Sequence, residues 1–219
     1  MFARKILFFT LVVFCSLFEI NAQSRLYPKG RLDPNDTLLK SYQQKVDNLL
    51  LNNPEDAGFA YLVHPAWGPQ QGCCYNYSTS TLVLKESEEN IWYYYFSSNS
   101  NYKEGETPEV KIKEYSCTIP RKTAKCFEDL FYSAINSSSY LARPNGLDGV
   151  SYELLLNGGF FTAELWSPKK GTNCHKLEEI LIELSKCIKD NNAAGIENLV
   201  PKVTELSETF KKLFPVDIK

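Results

Sequence analysis

Residues 151–166 carry the pattern that most restricts how this chain can fold, an apolar alternation on either side of an Asn-Gly pair. One face consists of alternate apolar residues before and after that pair: Tyr152, Leu154, Leu156, Phe161, Ala163 and Leu165. Asn157 and Gly158 both tolerate the positive φ angles that a two-residue type I′ turn requires. The segment therefore predicts an antiparallel hairpin with one buried face.

The rest of the chain changes between strand-like and helix-like spacing of its apolar residues. Strand patterns occupy residues 58–63, 79–86, 90–98 and 109–118. Helical patterns occupy residues 38–51, 123–136 and 173–188, and a last helix follows Pro201. Residues 65–78, rich in Gly, Pro and Gln, are predicted to form a loop. This order predicts one α+β domain over residues 37–219, with a largely antiparallel sheet of about six strands packed against four helices.

Turn residues and aromatic residues frame the predicted hairpin. The elements Gly146-Leu147-Asp148-Gly149-x-x-Tyr152 and Trp166-Ser167-Pro168-x-x-Gly171 are followed by a predicted helix. This arrangement resembles the C-terminal part of small exported bacterial proteins of uncharacterised function. The resemblance implies a hairpin followed by a helix and a bacterial, periplasmic or secreted setting, and it implies no catalytic residues.

The first 22 residues have the layout of a secretory signal peptide. Arg4 and Lys5 precede an apolar run over residues 6–18, and Ala22 is a small residue before cleavage ahead of Gln23. As a helix the run would span about 20 Å, which is short of the roughly 30 Å hydrocarbon core and argues against an uncleaved membrane anchor. We expect an exported protein, periplasmic or secreted, with no membrane span in the mature chain. Its polar, turn-rich residues 23–36 are predicted to form a flexible leader.

Six cysteines remain after cleavage: Cys73, Cys74, Cys117, Cys126, Cys174 and Cys187. An even number in an exported chain predicts disulfide bonds, although six cysteines allow 15 pairings. Cys174 and Cys187 lie on one predicted helix, about 20 Å apart along its axis, and cannot pair. Cys117 and Cys126 flank a strand-to-helix turn and form the favoured pair.

A metal site is the other interpretation of these cysteines. It would draw on five residues: Cys73, Cys74, Cys174, His175 and His64. No C-x₂-C or H-x₃-H spacing is present, and thiolate zinc sites are less usual in oxidising compartments. We therefore predict no metal.

The charge balance does not favour nucleic acid as a partner. The formal net charge is −2, and it becomes −3 when residues 1–22 are removed with two basic residues and one acidic residue. The mature chain has four arginines, and arginine is the residue best suited to phosphates and base edges. Nucleic-acid binding is therefore not expected.

Few residues are available for catalysis, since the chain has two histidines, His64 and His175. The sequence lacks a G-x-S-x-G motif, and neither histidine stands in a pattern typical of a nucleophilic triad. Both are interpreted as surface or structural residues. We therefore predict no catalytic and no cofactor-binding residues.

Glu153 and Glu164 on the second face of the hairpin offer an alternative function, a hydrolase that uses a carboxylate pair. One register places them opposite each other with about 5 Å between Cβ atoms, near the separation in retaining glycosidases. The neighbouring register pairs Glu153 with Thr162, avoids the like-charge contact and suits an Asn-Gly turn. We favour that second register, with both glutamates solvated.

Aromatic residues favour a binding function. If residues 90–98 form a strand, Tyr93 and Tyr95 share one face, which either packs beneath a second layer or presents a tyrosine surface to solvent. Trp67, in the predicted loop before Cys73, is the other candidate for a recognition surface. The leading hypothesis is an exported, disulfide-stabilised, non-catalytic binding protein for an unidentified protein, peptide or glycan.

Three N-x-S/T sequons begin at Asn35, Asn76 and Asn136. They would be glycan sites in a eukaryotic source, whereas chance explains them in a bacterial one. The bacterial resemblance favours the second interpretation.

Overall fold

The computed structural model describes residues 26–28, 48–51, 57–90, 110–139 and 149–213. Several predicted features lie outside these residues: the signal peptide with Ala22 and Gln23, the sequon at Asn35, residues 38–47 of the first predicted helix, the strand with Tyr93 and Tyr95, and residues 146–148 of the motif before the hairpin. The six cysteines expected in the exported chain lie inside them.

An antiparallel sheet of seven strands in the order β1-β7-β6-β2-β3-β4-β5 forms the centre of the described structure. The strands are β1 (Tyr27–Pro28), β2 (Ala57–Pro65), β3 (Gln71–Asn76), β4 (Thr81–Ser87), β5 (Ile112–Thr118), β6 (Val150–Leu156) and β7 (Phe161–Trp166). Six of them have six residues or more, and β1 has two. The α+β class and the largely antiparallel sheet are therefore confirmed.

Helices cover both faces of this sheet. They are α1 (48–51), α2 (Arg121–Asn136), α3 (Asn173–Lys189) and α4 (Ala193–Lys211). Helices α2 and α3 pack on the first face, which carries Phe59 and Tyr61, and α4 packs against these two helices; the three together enclose the main core. Helix α1 packs on the second face, where Leu50 and Leu51 contact a smaller apolar cluster.

Strand β3, which lies in the interior of the sheet between β2 and β4, was predicted as a loop, and that prediction is wrong. Its Cys73 and Tyr75 point into the main core and are fully buried. Gly72 allows α1 to lie close to the second face, since a Cβ there would be 2.6 Å from Cβ of Leu50. The glycines and prolines that favour a loop locally are outweighed by this burial and by pairing with strands on both sides.

The hairpin of β6 and β7 forms as predicted, but its turn is longer. Asn157 and Gly158 have positive φ angles of 49° and 69°, as predicted, and Gly159 adds a third at 88°. Residues 157–160 form the connection, so the predicted two-residue turn is wrong. The observed register pairs the apolar residues of both strands: Tyr152 with Leu165, Leu154 with Ala163, and Leu156 with Phe161. A two-residue turn would instead place Gly159 opposite Leu156.

Residues 26–28 of the predicted flexible leader pack against the core and the sheet. Leu26 belongs to the main core and Tyr27 is buried. Strand β1 pairs with β7, and the Leu26 carbonyl accepts a hydrogen bond from the amide of Ser139 at 2.9 Å. Burial of two large side chains overrides the polar, turn-rich composition around them.

The last helix begins earlier than predicted. Asn192 caps it by accepting a hydrogen bond from the amide of Gly195 at 2.9 Å, so Pro201 lies inside α4 and not in its first turn. Proline at that position removes one backbone donor. Burial of Ile196 and Leu199 ahead of the proline explains why the helix extends in that direction.

Candidate functional site

Three chain segments meet at one end of the sheet, which we call the loop end: residues 65–70, 87–90 and 149–150. The amide of Ala66 donates to the carbonyl of Gly149 at 2.7 Å. The side-chain amide of Asn90 donates to the carbonyl of Pro65 at 3.1 Å. These bonds tie the β2–β3 connection to the chain leaving β4 and to the chain entering β6.

Hydrogen bonds between buried residues hold the β2–β3 connection against the end of β4. The amide of Gln70 donates to Oγ of Ser87 at 2.9 Å, and the amide of Ser87 donates to the carbonyl of Gln70 at 2.9 Å. Oγ of Ser87 in turn donates to the carbonyl of Glu89 at 2.6 Å. Ser87 and Gln70 are both buried, and satisfied buried polar groups of this kind hold a loop in one conformation. Sequence reasoning missed these residues.

Trp67 lies on this braced connection with 71% of its surface exposed. The residue after it, Gly68, has a φ of 99°, a left-handed conformation that favours glycine. A tryptophan presents a large apolar surface together with one N–H donor, a combination common in binding surfaces. The loop end therefore presents an aromatic side chain on a rigid support.

Of the three residues predicted to form a binding surface, the structure describes one. Trp67 is at the loop end, whereas Tyr93 and Tyr95 lie outside the described residues. Asn90, which is bonded to Pro65, immediately precedes the aromatic segment 91–96 in the sequence.

A row of polar residues lies on the second face next to the loop end. His64 on β2 is paired with Ser151 on β6, whose hydroxyl donates to the carboxylate of Glu164 on β7. Nδ1 of His64 lies 3.2 Å from Nε2 of Gln70.

Glu153 lies directly opposite Glu164 in this row. The predicted pairing of Glu153 with Thr162 is therefore wrong, because the four-residue connection shifts the register. Glu153 is 5% exposed and is not the solvated residue that we expected. Pairing of the apolar face thus brings two carboxylates together on the opposite face.

All six of the described cysteines are free thiols, so the expected disulfide framework is not formed in the structure. The favoured pair is not made, since Sγ of Cys126 lies 3.4 Å from the carbonyl of Lys122 on its own helix. Cys174 and Cys187 lie on the single helix α3, as predicted. Burial raises the pKa of the Cys174 thiol to about 12, which keeps it protonated and unreactive.

The residues weighed as a metal site do not come together. Cys73 lies on the first face and Cys74 on the second, because neighbouring residues of a strand point to opposite sides. His175 lies on α3 over the first face, with Nδ1 3.5 Å from the carboxylate of Glu179. Across the five described ranges, we find no group of three or more metal-binding side chains.

The two described sequons lie at the ends of secondary-structure elements. Asn76 ends β3, and its side-chain oxygen accepts a hydrogen bond from the amide of Ser78 at 2.8 Å. Asn136 is the exposed last residue of α2. Glycosylation of either stays a prediction that depends on the source.

Comparisons with protein-family models, with curated proteins and with solved structures found no match for this chain. Within the described ranges, no helix has the length and apolar character needed to cross a membrane. Function is therefore inferred from the geometry of the loop end and of the second face.

Proposed function

We propose that this is an exported binding protein that recognises a protein, peptide or glycan through the loop end, without chemistry of its own. The observation that carries the proposal is the 71% exposed Trp67 on a connection braced by buried hydrogen bonds. The signal-peptide pattern at residues 1–22 supports an extracytoplasmic site of action.

A rigid aromatic side chain suits this role for an energetic reason. Binding is weakened when a loop loses conformational entropy as it becomes ordered on the partner. A loop that is already ordered by hydrogen bonds in the free protein loses less entropy on binding. Tryptophan is also among the residues that contribute most at interfaces, often about 2 kcal/mol or more. Trp67 is therefore expected to dominate the affinity for the partner.

Replacing Trp67 with alanine should weaken binding about 30-fold, which corresponds to about 2 kcal/mol. The probes are a glycan array and a displayed random-peptide library, each screened with the mature wild-type protein. The best ligand from either source is then titrated against wild type and Trp67→Ala by calorimetry. Circular dichroism of both proteins checks that the substitution leaves the fold intact.

Tyr132→Ala is the matched control, because Tyr132 is an exposed aromatic residue on α2, away from the β2–β3 connection. Its affinity should equal that of the wild type. Equal binding by the wild type and Trp67→Ala, or no ligand from either source, would contradict the proposal.

A carboxylate hydrolase is the second candidate, favoured by the pairing of Glu153 with Glu164. Directly opposed residues have Cβ atoms about 4.5–5.5 Å apart, near the roughly 5 Å separation of the two carboxyl groups in retaining glycosidases. The hydroxyl of Ser151, which donates to Glu164, would keep that carboxylate oriented.

This second candidate is tested with a panel of 4-nitrophenyl glycosides. If it holds, the wild type releases nitrophenol, and Glu153→Gln and Glu164→Gln each reduce kcat by about a thousandfold or more. Glu205→Gln, an exposed carboxylate on α4, is the control and should leave kcat unchanged. No turnover of any glycoside, or turnover that survives both glutamine variants, would rule out this chemistry.

A further inference from the structure

A groove with an apolar floor lies between helices α3 and α4. Its volume is about 180 Å³, and four residues from each helix line it. Ile180 of α3 and Leu206 of α4 form its floor, since each is 4% exposed and belongs to the main core. An apolar cavity of about 150 Å³ is large enough to hold benzene. The groove can therefore accept one ring or an aliphatic group of similar size.

The two helices line this groove with the same sequence pattern. Residues 176–183 of α3 read Lys-x-x-Glu-Ile-x-x-Glu, and residues 202–209 of α4 read Lys-x-x-Glu-Leu-x-x-Thr. The four named positions of each pattern are spaced so that they share one face of a helix. If the helices run antiparallel, the first position of one pattern lies level with the last position of the other.

Two contacts establish this antiparallel alignment. Nζ of Lys202 donates to both carboxylate oxygens of Glu183, at 3.2 and 3.1 Å. Nearer to the connection between the helices, a Cβ on Gly195 would lie 2.8 Å from Sγ of Cys187. The ion pair therefore closes one end of the groove, and the same register continues along both helices.

Two carboxylates face each other across the middle of the groove. About one helical turn from the ion pair, α3 presents Glu179 and α4 presents Glu205. Both side chains are exposed, and they stand on opposite walls above the apolar floor. A cleft lined by charges of one sign concentrates ions of the opposite sign. The middle of the groove therefore favours a cation.

The total charge of the lining favours a cation with a single charge. Three carboxylates and two ammonium groups line the groove, so its net charge is −1: they belong to Glu179, Glu183, Glu205, Lys176 and Lys202. One positive charge on a ligand balances this excess. A metal ion is not the expected occupant, because the described ranges contain no group of three or more metal-binding side chains.

We propose that this groove binds a small organic monocation, an amine with an apolar body of about one ring. The ring covers Ile180 and Leu206, and the ammonium group lies between Glu179 and Glu205. Ion pairs at exposed carboxylates contribute little, so contact of the ring with the floor supplies much of the affinity. For a ligand of about nine non-hydrogen atoms we expect a dissociation constant of about 1 mM.

Nuclear magnetic resonance of the ¹⁵N-labelled mature chain tests the site with three compounds. The first is 2-phenylethylamine, the second is the anion 3-phenylpropanoate, which carries the same ring, and the third is ethylamine, which has the charge without the ring. We expect 2-phenylethylamine to cause saturable shifts of amide signals within residues 176–183 and 202–209. The other two compounds should bind at least about tenfold more weakly, since each lacks one of the two interactions.

Variants of the two central carboxylates complete the test. Glu179→Gln and Glu205→Gln each remove a charge and keep the size of the side chain. Each should raise the dissociation constant for 2-phenylethylamine about threefold, and the double variant about tenfold. Glu197→Gln is the matched control, because Glu197 is an exposed carboxylate of α4 that does not line the groove.

Three results would overturn the proposal. They are the absence of saturable shifts in the two ranges, binding of 3-phenylpropanoate as tight as that of the amine, and equal affinity of the double variant and the wild type. No residue of the loop end lines the groove. The outcome is therefore independent of the binding function proposed for Trp67.

Discussion

Replacing Leu26 with alanine in the mature chain is expected to lower the free energy of unfolding by about 3 kcal/mol. Leu26 is 1% exposed and belongs to the main core, so the substitution removes buried methyl groups and leaves a cavity. The loss should appear as a lower midpoint of urea denaturation with an unchanged slope.

Leu213→Ala is the matched control, because Leu213 follows α4 with more than half of its surface exposed. We expect it to change the free energy of unfolding by less than about 0.5 kcal/mol. If Leu26→Ala proves as mild as this control, the segment 26–28 does not contribute to the core, and the flexible leader expected from composition is correct.

Gly72→Ala is expected to cost about 3 kcal/mol through a different mechanism, overpacking. A Cβ at this position would lie 2.6 Å from Cβ of Leu50 and 2.8 Å from its backbone carbonyl oxygen. Since the nearest atoms belong to the backbone and Cβ of α1, no rotation of a side chain relieves the contact. Helix α1 must move away from the sheet, which opens the cluster formed with Leu62 and Leu155.

Urea denaturation measures this effect, and hydrogen exchange locates it. Amides of residues 48–51 should lose protection in Gly72→Ala, while those of α3 keep it. Ser116→Ala, on the same face at the exposed edge strand, is the control and should be neutral within about 0.5 kcal/mol. Unchanged stability of Gly72→Ala would show that α1 does not pack on β3.

Local sequence patterns predicted much of the secondary structure, since each depends on residues only a few positions apart. Thr172, for example, caps α3 by accepting a hydrogen bond from the amide of His175, three positions along the chain. Asn157 and Gly158 adopt the positive φ angles that asparagine tolerates and that glycine, without a Cβ, reaches at no steric cost.

The candidate site was only partly predictable. Trp67 was selected from its residue type and loop position alone. The residues that brace it were not, because Gln70 and Ser87 are 17 positions apart and Pro65 and Asn90 are 25 apart. These pairs become neighbours only when β3 inserts between β2 and β4, and β3 itself was read as a loop.

The sequence by itself determined the alternation of strands and helices, the α+β class and the positions of the hairpin and its turn residues. Only the tertiary structure decided the hairpin register, the order of the strands, the burial of Leu26 and the apposition of Glu153 with Glu164. The physical reason is the range of the forces involved. Turn preferences and capping act over a few residues, whereas burial and strand pairing join residues that are distant in the chain.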